Sequence, residues 1–254
     1  MPVILVEKET PHITRVTLNR PERRNALTIE LMTELTAAIE LAEADSSQRV
    51  LILRGAGAAF CTGLDLKEAA KVEKAHATAE MVARTLIVVS QTRLITIAAV
   101  HGAAVAGGAG IMSACDFVIA AEGTRIGYPE VRRGLVAGLV MTFLRRQLRE
   151  RDIRELVLAS ELIDAQRALA IGLINRVVLP DELESAVRTV ADSVLQGAPG
   201  ALTNTKRLIE ELWSTSVEAD VQQALQHHMR ARESTEAKEG IAAFLEKRPP
   251  HWVG

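Results

Sequence analysis

A cluster of glycines between two apolar runs constrains this chain more than any other segment. The glycines are Gly102, Gly107, Gly108 and Gly110. The apolar runs on either side cover residues 95–100 and 117–121, so the segment predicts a strand, a glycine-rich loop, the start of a helix at Gly107 or Gly108, and a second strand. Glycine lets a backbone approach a ligand closely, and the first N–H groups of a helix have no partner within it. Such a loop suits an oxygen that develops negative charge.

Composition narrows the class of protein. A chain of 254 residues fits one large domain, or one domain with a small appendage, and 48% hydrophobic residues are typical of a soluble globular chain. The net charge of −2 argues against a nucleic-acid partner, which would require a basic stripe. No run is apolar enough for a membrane span, and the N-terminus lacks a basic leader. Cys61 and Cys115 are too few for a disulfide framework, so we expect reduced thiols and a cytoplasmic protein.

The order of the periodic segments predicts an α/β layered fold. Extended segments at 3–6, 12–18 and 50–53 alternate with a helix over 28–44 and a longer helix of about 25 residues that begins near Leu66. After Gly134 the pattern is helical almost to the end. The further helices are predicted at 135–148, 152–159, 165–171 (with Asp164 as its cap), 181–195, 201–213, 217–232 and 235–245. The sequence GAPG at 197–200 is the best boundary candidate, which divides the chain into a core, 1–196, and a helical region, 197–254.

Familiar cofactor motifs are absent from the sequence. GAGAAF has Phe60 where a dinucleotide fingerprint needs its third glycine, and no zinc-like spacing of Cys and His occurs. We therefore expect neither a metal nor a redox cofactor. The pair His227–His228 is interpreted as part of a solvated helix face. The pair Arg132–Arg133 is interpreted as surface or ion-pair residues.

Six segments together carry a family resemblance across nearly the whole chain. They are NRPERRNAL, AFCTGLDL, HGAAVAGGAGIMSACDFVIAAE, YPEVRRGL, GLINRVV and AFLEKRPPHW. In this order and spacing they resemble the crotonase (enoyl-CoA hydratase/isomerase) superfamily, and look most like its bacterial methylglutaconyl-CoA-type hydratases. The resemblance implies a crotonase-type ββα spiral core with a C-terminal α-helical trimerisation region. It also implies acyl-CoA thioester substrates, a homotrimer or dimer of trimers, and no cofactor other than the coenzyme A that enters with the substrate.

The resemblance also implies site residues. The backbone N–H groups of Leu64 and Gly107 would hold the thioester oxygen as an enolate forms, and Glu130 would be the acid/base. We expect burial beside apolar groups to raise the pKa of Glu130 so that it can act near pH 7. Tyr128 either faces the acyl pocket or packs in the core. The matched substrate-binding residues are Arg24, Ala26, Leu27, Thr62, Asp65 and Leu66, together with Phe244 and Lys247, which in the family often reach the adenine and phosphate from the neighbouring subunit.

One departure from the family pattern leaves the reaction open. Hydratases of the family commonly carry a second glutamate at the position of Gly110, which has no side chain. The surrounding sequence favours an enoyl-CoA hydratase with Glu130 alone. The alternatives are a Δ3-Δ2 enoyl-CoA isomerase, which needs a single base, and an acyl-CoA-binding protein without catalysis. If water activation is what the chain lacks, Gly110→Glu should raise hydration.

Overall fold

Two β-sheets organise the molecule, which is described by a computed structural model covering residues 2–69 and 72–253. The larger sheet has the order β1-β2-β3-β4-β6-β9, and the smaller one has the order β5-β7-β8. Only the β1–β2 pair of the larger sheet is antiparallel; its other neighbours are parallel. The strands are β1 (Ile4–Thr10), β2 (Ile13–Leu18), β3 (Val50–Gly55), β4 (Ile95–Val100), β5 (Ala103–Val105), β6 (Phe117–Ala121), β7 (Arg125–Gly127), β8 (Ile163–Asp164) and β9 (Arg176–Val178).

Helices cover both faces of the larger sheet, as the continuous apolar runs of its parallel strands require. One face packs against a core that contains Leu35, Leu86 and Val221. The opposite face packs against Val187 and Ala191. The helices are α1 (Ile29–Ala44), α2 (Leu66–Ala69), α3 (Val72–Gln91), α4 (Gly107–Ser113), α5 (Gly138–Gln147), α6 (Glu150–Arg154), α7 (Ala165–Ala170), α8 (Leu183–Leu195), α9 (Pro199–Glu211), α10 (Val217–Arg232) and α11 (Thr235–Glu246).

Most predicted elements are present, and the α/β class is confirmed. The strands on either side of the glycine cluster have the predicted bounds, and α4 begins at Gly107. Side-chain caps explain two of the helix starts. Thr28 accepts a hydrogen bond from the N–H of Leu31 at α1, and Asp164 accepts one from Arg167 at α7.

Several local predictions were wrong. The helix predicted at 135–148 begins only at Gly138, and the one at 152–159 widens after Arg154 into a π-helical turn over Glu155–Ala159. The small second sheet was not predicted because each of its strands has at most three residues, too few to show a period. Residues 70 and 71 of the long predicted helix lie outside the described residues.

The C-terminal helices differ in how they pack. Val217 and Val221 of α10 belong to the main core, and α10 packs on α3 and α5. By contrast, α9 buries no residue within the chain. No helix within 2–69 and 72–253 has the length and apolar character needed to cross a membrane.

The fully buried Asn25 ties two loops together at one end of the larger sheet. Its Nδ2 donates to the carbonyl oxygens of Ala56, Ala59 and Phe60 at 2.9, 2.8 and 3.1 Å, and its Oδ1 accepts from the N–H of Arg20 at 2.8 Å. Asn25 has a φ of 54°, a left-handed conformation that asparagine tolerates better than most residues. This side chain therefore fixes the position of the loop that leads to residues 61–64.

We expect Asn25→Ala to lower the free energy of unfolding by about 3 kcal/mol, because it leaves buried carbonyl groups unpaired and places alanine at a positive φ. Chemical denaturation measures the change. Asn19→Ala is the matched control, since Asn19 makes one exposed hydrogen bond to the carbonyl oxygen of Pro2, and it should cost about 1 kcal/mol or less. Equal losses in the two variants would contradict this role for Asn25.

Candidate active site

Three backbone segments converge beside the N-terminus of α4. Residues 61–64 pair with Leu27 on one side and with Ala104 of β5 on the other. The N–H of Leu27 donates to the carbonyl oxygen of Gly63 at 2.8 Å, and the N–H of Val105 donates to that of Cys61 at 3.0 Å. Residues 61–64 therefore lie as a short extended link between the loop that follows β2 and the second sheet.

Two glycines permit this convergence. Gly63 has a φ of +87°, and a Cβ there would lie 3.0 Å from the carbonyl oxygen of Val105 and 3.4 Å from the nitrogen of Gly107. A Cβ at Gly108 would lie 2.3 Å from the carbonyl oxygen of Cys61. The positive φ at Gly63 and the backbone overlap at Gly108 both favour glycine over any residue with a side chain. The close contact brings the segment containing Leu64 against the start of α4.

The N–H groups of Leu64 and Gly107 have no hydrogen-bond partner among the described residues. In the parallel pairing with Leu27, the bonds use the carbonyl of Gly63 and the N–H of Asp65, which leaves that of Leu64 free. Gly107 is the first residue of α4, where N–H groups have no partner within the helix. Both residues line one cavity of about 540 Å³. The cavity therefore has two backbone donors in its wall.

The residue before this helix adopts a strained conformation. Ala106 has a φ of 51° and a ψ of −125°, a region that favours glycine. Its N–H donates to the carbonyl oxygen of Gly127, and its own carbonyl accepts from Gly110. These two bonds hold Ala106 in place and so fix the direction of the following N–H, that of Gly107.

Glu130 lies in the wall of the same cavity, in a short helical turn that follows Pro129. Its side chain is buried, and its Oε2 has no hydrogen-bond partner among the described residues. Burial raises the pKa of Glu130 to about 7, while its own backbone N–H and the charge of Arg133 act weakly in the opposite direction. The expected elevation is present, so near neutral pH this carboxyl can both accept and donate a proton.

The space expected for a second carboxylate is occupied. A Cβ on Gly110 would lie 2.7 Å from Cγ1 of Val140 and 3.5 Å from Cδ2 of Leu86. Val140 belongs to α5, and a β-branched side chain in a helix has little freedom to move away. Val140 therefore occupies the space beside Gly110, and a glutamate there would require this side chain to move.

Most of the expected substrate-binding residues line the cavity or its opening. Asp65 is held by an ion pair with Arg20, 3.1 Å from Nη2 to Oδ2, and it also accepts a hydrogen bond from the N–H of Lys67. Thr62 hydrogen-bonds to the carbonyl oxygen of Arg24. The expected residues that the structure brings together here are Arg24, Ala26, Thr62, Leu64, Asp65, Leu66, Gly107, Glu130 and Phe244.

Three expected residues do not line this cavity. Leu27 is buried in the core beside Gly107. Tyr128 is fully buried, and its hydroxyl lies 2.8 Å from that of Ser113, so it packs rather than facing the acyl pocket. Lys247 is exposed where α11 ends. Phe244 lines the cavity of its own chain, whereas the resemblance implies a position at the neighbouring subunit's site.

Two cavity residues were misjudged from the sequence. His228 is buried, not solvated, and it lines the cavity from α10. The spacing of Val217, Val221 and His228 along one helix face is the signal that could have found it. Arg133 is half-buried in the cavity wall and makes no ion pair with a described residue, so the surface or ion-pair interpretation was wrong for it.

No group of three or more His, Cys, Asp or Glu side chains within the described ranges is arranged to hold a metal ion. Besides the charged and hydroxyl-bearing side chains of residues 22–24, 62, 65 and 67, the polar groups of the cavity include the amides of Leu64 and Gly107, the buried carboxyl of Glu130, and the side chains of Arg133 and His228. This arrangement can bind a carbonyl oxygen and move a proton beside it.

Comparisons with known proteins cover nearly the whole chain. Residues 8–254 match the model of the enoyl-CoA hydratase/isomerase family. A Thermus thermophilus protein named "Putative enoyl-CoA hydratase" is 38% identical over 254 residues, which cover 98% of this chain and 100% of that protein. The mevalonyl-coenzyme A hydratase of Aspergillus fumigatus is 32% identical over 254 residues, covering 98% of this chain and 94% of the relative.

A solved structure gives the same result for the fold. The crystal structure of an enoyl-CoA hydratase from Mycobacterium avium subsp. paratuberculosis superimposes with a TM-score of 0.88 at 26% identity, and the match covers 99% of both chains. The chain belongs to the enoyl-CoA hydratase/isomerase family, within the crotonase superfamily.

The elevated pKa of Glu130 predicts a pH-dependent stability. Between about pH 4.5 and pH 7 the unfolded chain loses this proton while the folded chain keeps it, so the free energy of unfolding falls as the pH rises. Glu130→Gln lacks this titrating group. Between pH 4 and pH 8, we expect the difference in the free energy of unfolding between Glu130→Gln and the wild type to shift in favour of the variant by about 3 kcal/mol. Urea denaturation across this range measures the difference. The exposed Glu122 provides the control, and an equal pH-dependent gain in Glu122→Gln would argue against the buried carboxyl.

Proposed function

We propose that this protein is an enoyl-CoA hydratase that uses Glu130 as its single acid/base group. The observation that carries the proposal is the combination of two unpaired amides, those of Leu64 and Gly107, with a buried and unpartnered carboxyl in one cavity. The family supplies the class of substrate, an acyl-CoA thioester.

In the proposed reaction the thioester oxygen accepts hydrogen bonds from the N–H groups of Leu64 and Gly107. Ionised Glu130 removes a proton from water as the water oxygen bonds to C3, and the electron pair of the double bond moves through C2 to the thioester oxygen. The resulting enolate is held by the two amides, each worth about 3 kcal/mol at the transition state. Protonated Glu130 then returns the proton to C2. The carboxyl ends ionised, as it began, and no metal or redox cofactor takes part.

The cavity opening supports binding of the coenzyme A part of the substrate. Arg23, Arg24 and Lys67 lie at the opening and supply positive charge for phosphate groups. Phe244 is half-exposed there; the guanidinium of Arg133 lies over its ring, and the exposed part of the ring is available to an adenine. Arg23 and Arg24 follow β2 and Lys67 belongs to α2, whereas Glu130 follows β7, so the proposed coenzyme A contacts and the reacting carboxyl come from different elements.

We also propose that the chain forms a homotrimer or a dimer of trimers. The observation that favours assembly is the apolar surface of α9 and the turn after it, where large apolar side chains stay exposed and no residue of α9 is buried within the chain. Contact with another copy would remove these side chains from water. They are Leu208, Ile209, Leu212 and Trp213.

A Δ3-Δ2 enoyl-CoA isomerase is the second candidate, and Val140 favours it. Val140 stands in place of a second carboxylate, which leaves Glu130 as the single carboxyl of this pair. In an isomerase, Glu130 removes a proton from C2 of a 3-enoyl-CoA and returns it to C4. Such a shift requires no activated water. An acyl-CoA-binding protein without turnover is the third outcome that an assay can give.

Turnover of crotonyl-CoA and of a 3-enoyl-CoA, followed by the absorbance of the conjugated enone, separates these candidates. We expect loss of the crotonyl-CoA absorbance with the wild type and at least a 100-fold lower rate, by order of magnitude, with Glu130→Gln. Glu122→Gln should retain the rate. A gain of absorbance from the 3-enoyl-CoA without hydration would favour the isomerase, and tight binding without either reaction would favour the binding protein.

The packing of Val140 predicts the outcome of adding a carboxylate. We expect Gly110→Glu to lower the melting temperature and not to raise hydration, because its Cβ would collide with Val140. Gly110→Glu combined with Val140→Ala should recover part of the melting temperature, with Val140→Ala alone as the matched control. A stable Gly110→Glu single variant with faster hydration would contradict this account.

A further inference from the structure

The cavity contains three buried polar side-chain atoms that lack a hydrogen-bond partner among the described residues. They are Oε2 of Glu130, Nε of Arg133 and Nε2 of His228. The proposed reaction uses only the first. A buried donor or acceptor left unpaired under a hydrocarbon chain lowers affinity, so the other two atoms bear on which acyl groups the cavity accepts.

Arg133 is a half-buried guanidinium of the cavity wall without a carboxylate partner. Arg49, Arg93 and Arg232 also have little exposure and bond to backbone carbonyl oxygens rather than to carboxylates, but none of these three lines the cavity. Arg133 has no carboxylate oxygen within 4.0 Å in the described part of the chain. Since burying a charge without a partner is costly, the site is suited to an anion supplied by a ligand.

The position of Arg133 is fixed by its neighbours. Its Nη1 donates to the carbonyl oxygen of Pro129 at 3.3 Å, and the guanidinium lies 4.4 Å from the centre of the Phe244 ring. The backbone of the same residue packs against Gly240 of α11, where a Cβ would lie 2.5 Å from the carbonyl carbon of Arg133. These contacts hold the guanidinium in the cavity wall that also contains Glu130, which precedes Arg133 by three positions in the sequence.

His228 adds a neutral polar group to the wall. Burial lowers its pKa, so the imidazole is uncharged near pH 7. Its Nδ1 lies 3.5 Å from the carbonyl oxygen of Val136, which can only accept a hydrogen bond. A proton on Nδ1 would leave Nε2 as an acceptor. As an acceptor, Nε2 of His228 can bond to a water molecule or to a hydroxyl on the acyl chain. Because the imidazole is uncharged, it does not neutralise the charge of Arg133.

We propose that Arg133 is a specificity-determining residue that selects acyl-CoA substrates whose acyl chain carries a carboxylate. This inference rests on the proposed function for the acyl-CoA site and adds the class of acyl group. A planar guanidinium can make two parallel hydrogen bonds to a carboxylate, which a methyl-terminated chain cannot replace.

Binding of two saturated ligands tests this inference without requiring turnover. Glutaryl-CoA and pentanoyl-CoA both carry five-carbon acyl groups, and they differ in whether C5 is a carboxylate or a methyl group. By isothermal titration calorimetry we expect the wild type to bind glutaryl-CoA about 10- to 100-fold more tightly. Equal affinities in the wild type would overturn the proposal.

Substitution of Arg133 then assigns the preference. We expect Arg133→Leu to reduce the affinity ratio of the two ligands to nearly one, and Arg133→Lys to leave an intermediate ratio. Arg132→Leu is the matched control, because Arg132 is exposed and bonds only to the carbonyl oxygen of Ala159. An unchanged ratio in a folded Arg133→Leu, or in Arg133→Lys if the leucine variant does not fold, would overturn the assignment. Equal loss of both ligands would assign Arg133 to coenzyme A and would overturn it too.

The two proposals can fail separately. If neither crotonyl-CoA nor a 3-enoyl-CoA reacts but glutaryl-CoA still binds more tightly through Arg133, the hydratase and isomerase proposals fail and the specificity holds. If crotonyl-CoA is hydrated but the wild type does not distinguish glutaryl-CoA from pentanoyl-CoA, the reaction holds and the specificity proposal fails.

Discussion

The close approach of two backbone segments is the constraint on which the site depends. Residues 61–64 run against the start of α4, with Gly63 next to Gly107 and Gly108 next to Cys61. Pairing on both sides uses both backbone groups of Cys61 and the carbonyl of Gly63, and leaves the N–H of Leu64 without a partner among the described residues. Two residues with unpaired backbone donors thus line one cavity, and the sheet and loops that hold them fix their positions.

Glu130 shows how packing sets chemistry. Burial of its carboxyl raises its pKa to about 7 even though the charge of Arg133 acts in the opposite direction. The same tight packing removes the second carboxylate, because the absence of a Cβ at Gly110 lets Val140 of α5 pack against α4. The valine side chain and a glutamate cannot share that space. Close helix packing therefore leaves the cavity with one buried carboxyl where hydratases of the family commonly have two.

The main elements could be predicted because their signals are local. The apolar runs of β4 and β6 and the Asp164 cap of α7 are visible in a few consecutive residues, and the structure has them where the sequence predicts them. The second sheet could not be predicted, because strands of two or three residues carry no measurable period. The loop before α5 was mistaken for helix since its residues are apolar throughout, and apolar residues there line the cavity instead.

The family resemblance, rather than any local pattern, pointed to Leu64, Gly107 and Glu130, and their separation in the sequence says nothing about a shared cavity. Tyr128 packs against Ser113, whereas His228 enters the cavity from a helix about one hundred residues away. A side chain's exposure depends on which distant element covers it, and single-residue chemistry does not specify that element.

The sequence by itself determined the α/β class, the glycine positions and the family-like order of motifs, because these depend on neighbouring residues. Only the tertiary structure decided which groups share the cavity: that Val140 fills the place of a second carboxylate, that Arg133 is left without an ion-pair partner among the described residues, and that Phe244 lies over it. The physical reason is that burial and pairing are properties of contacts between segments far apart in the chain, and those contacts exist only once the sheet and its helices have packed.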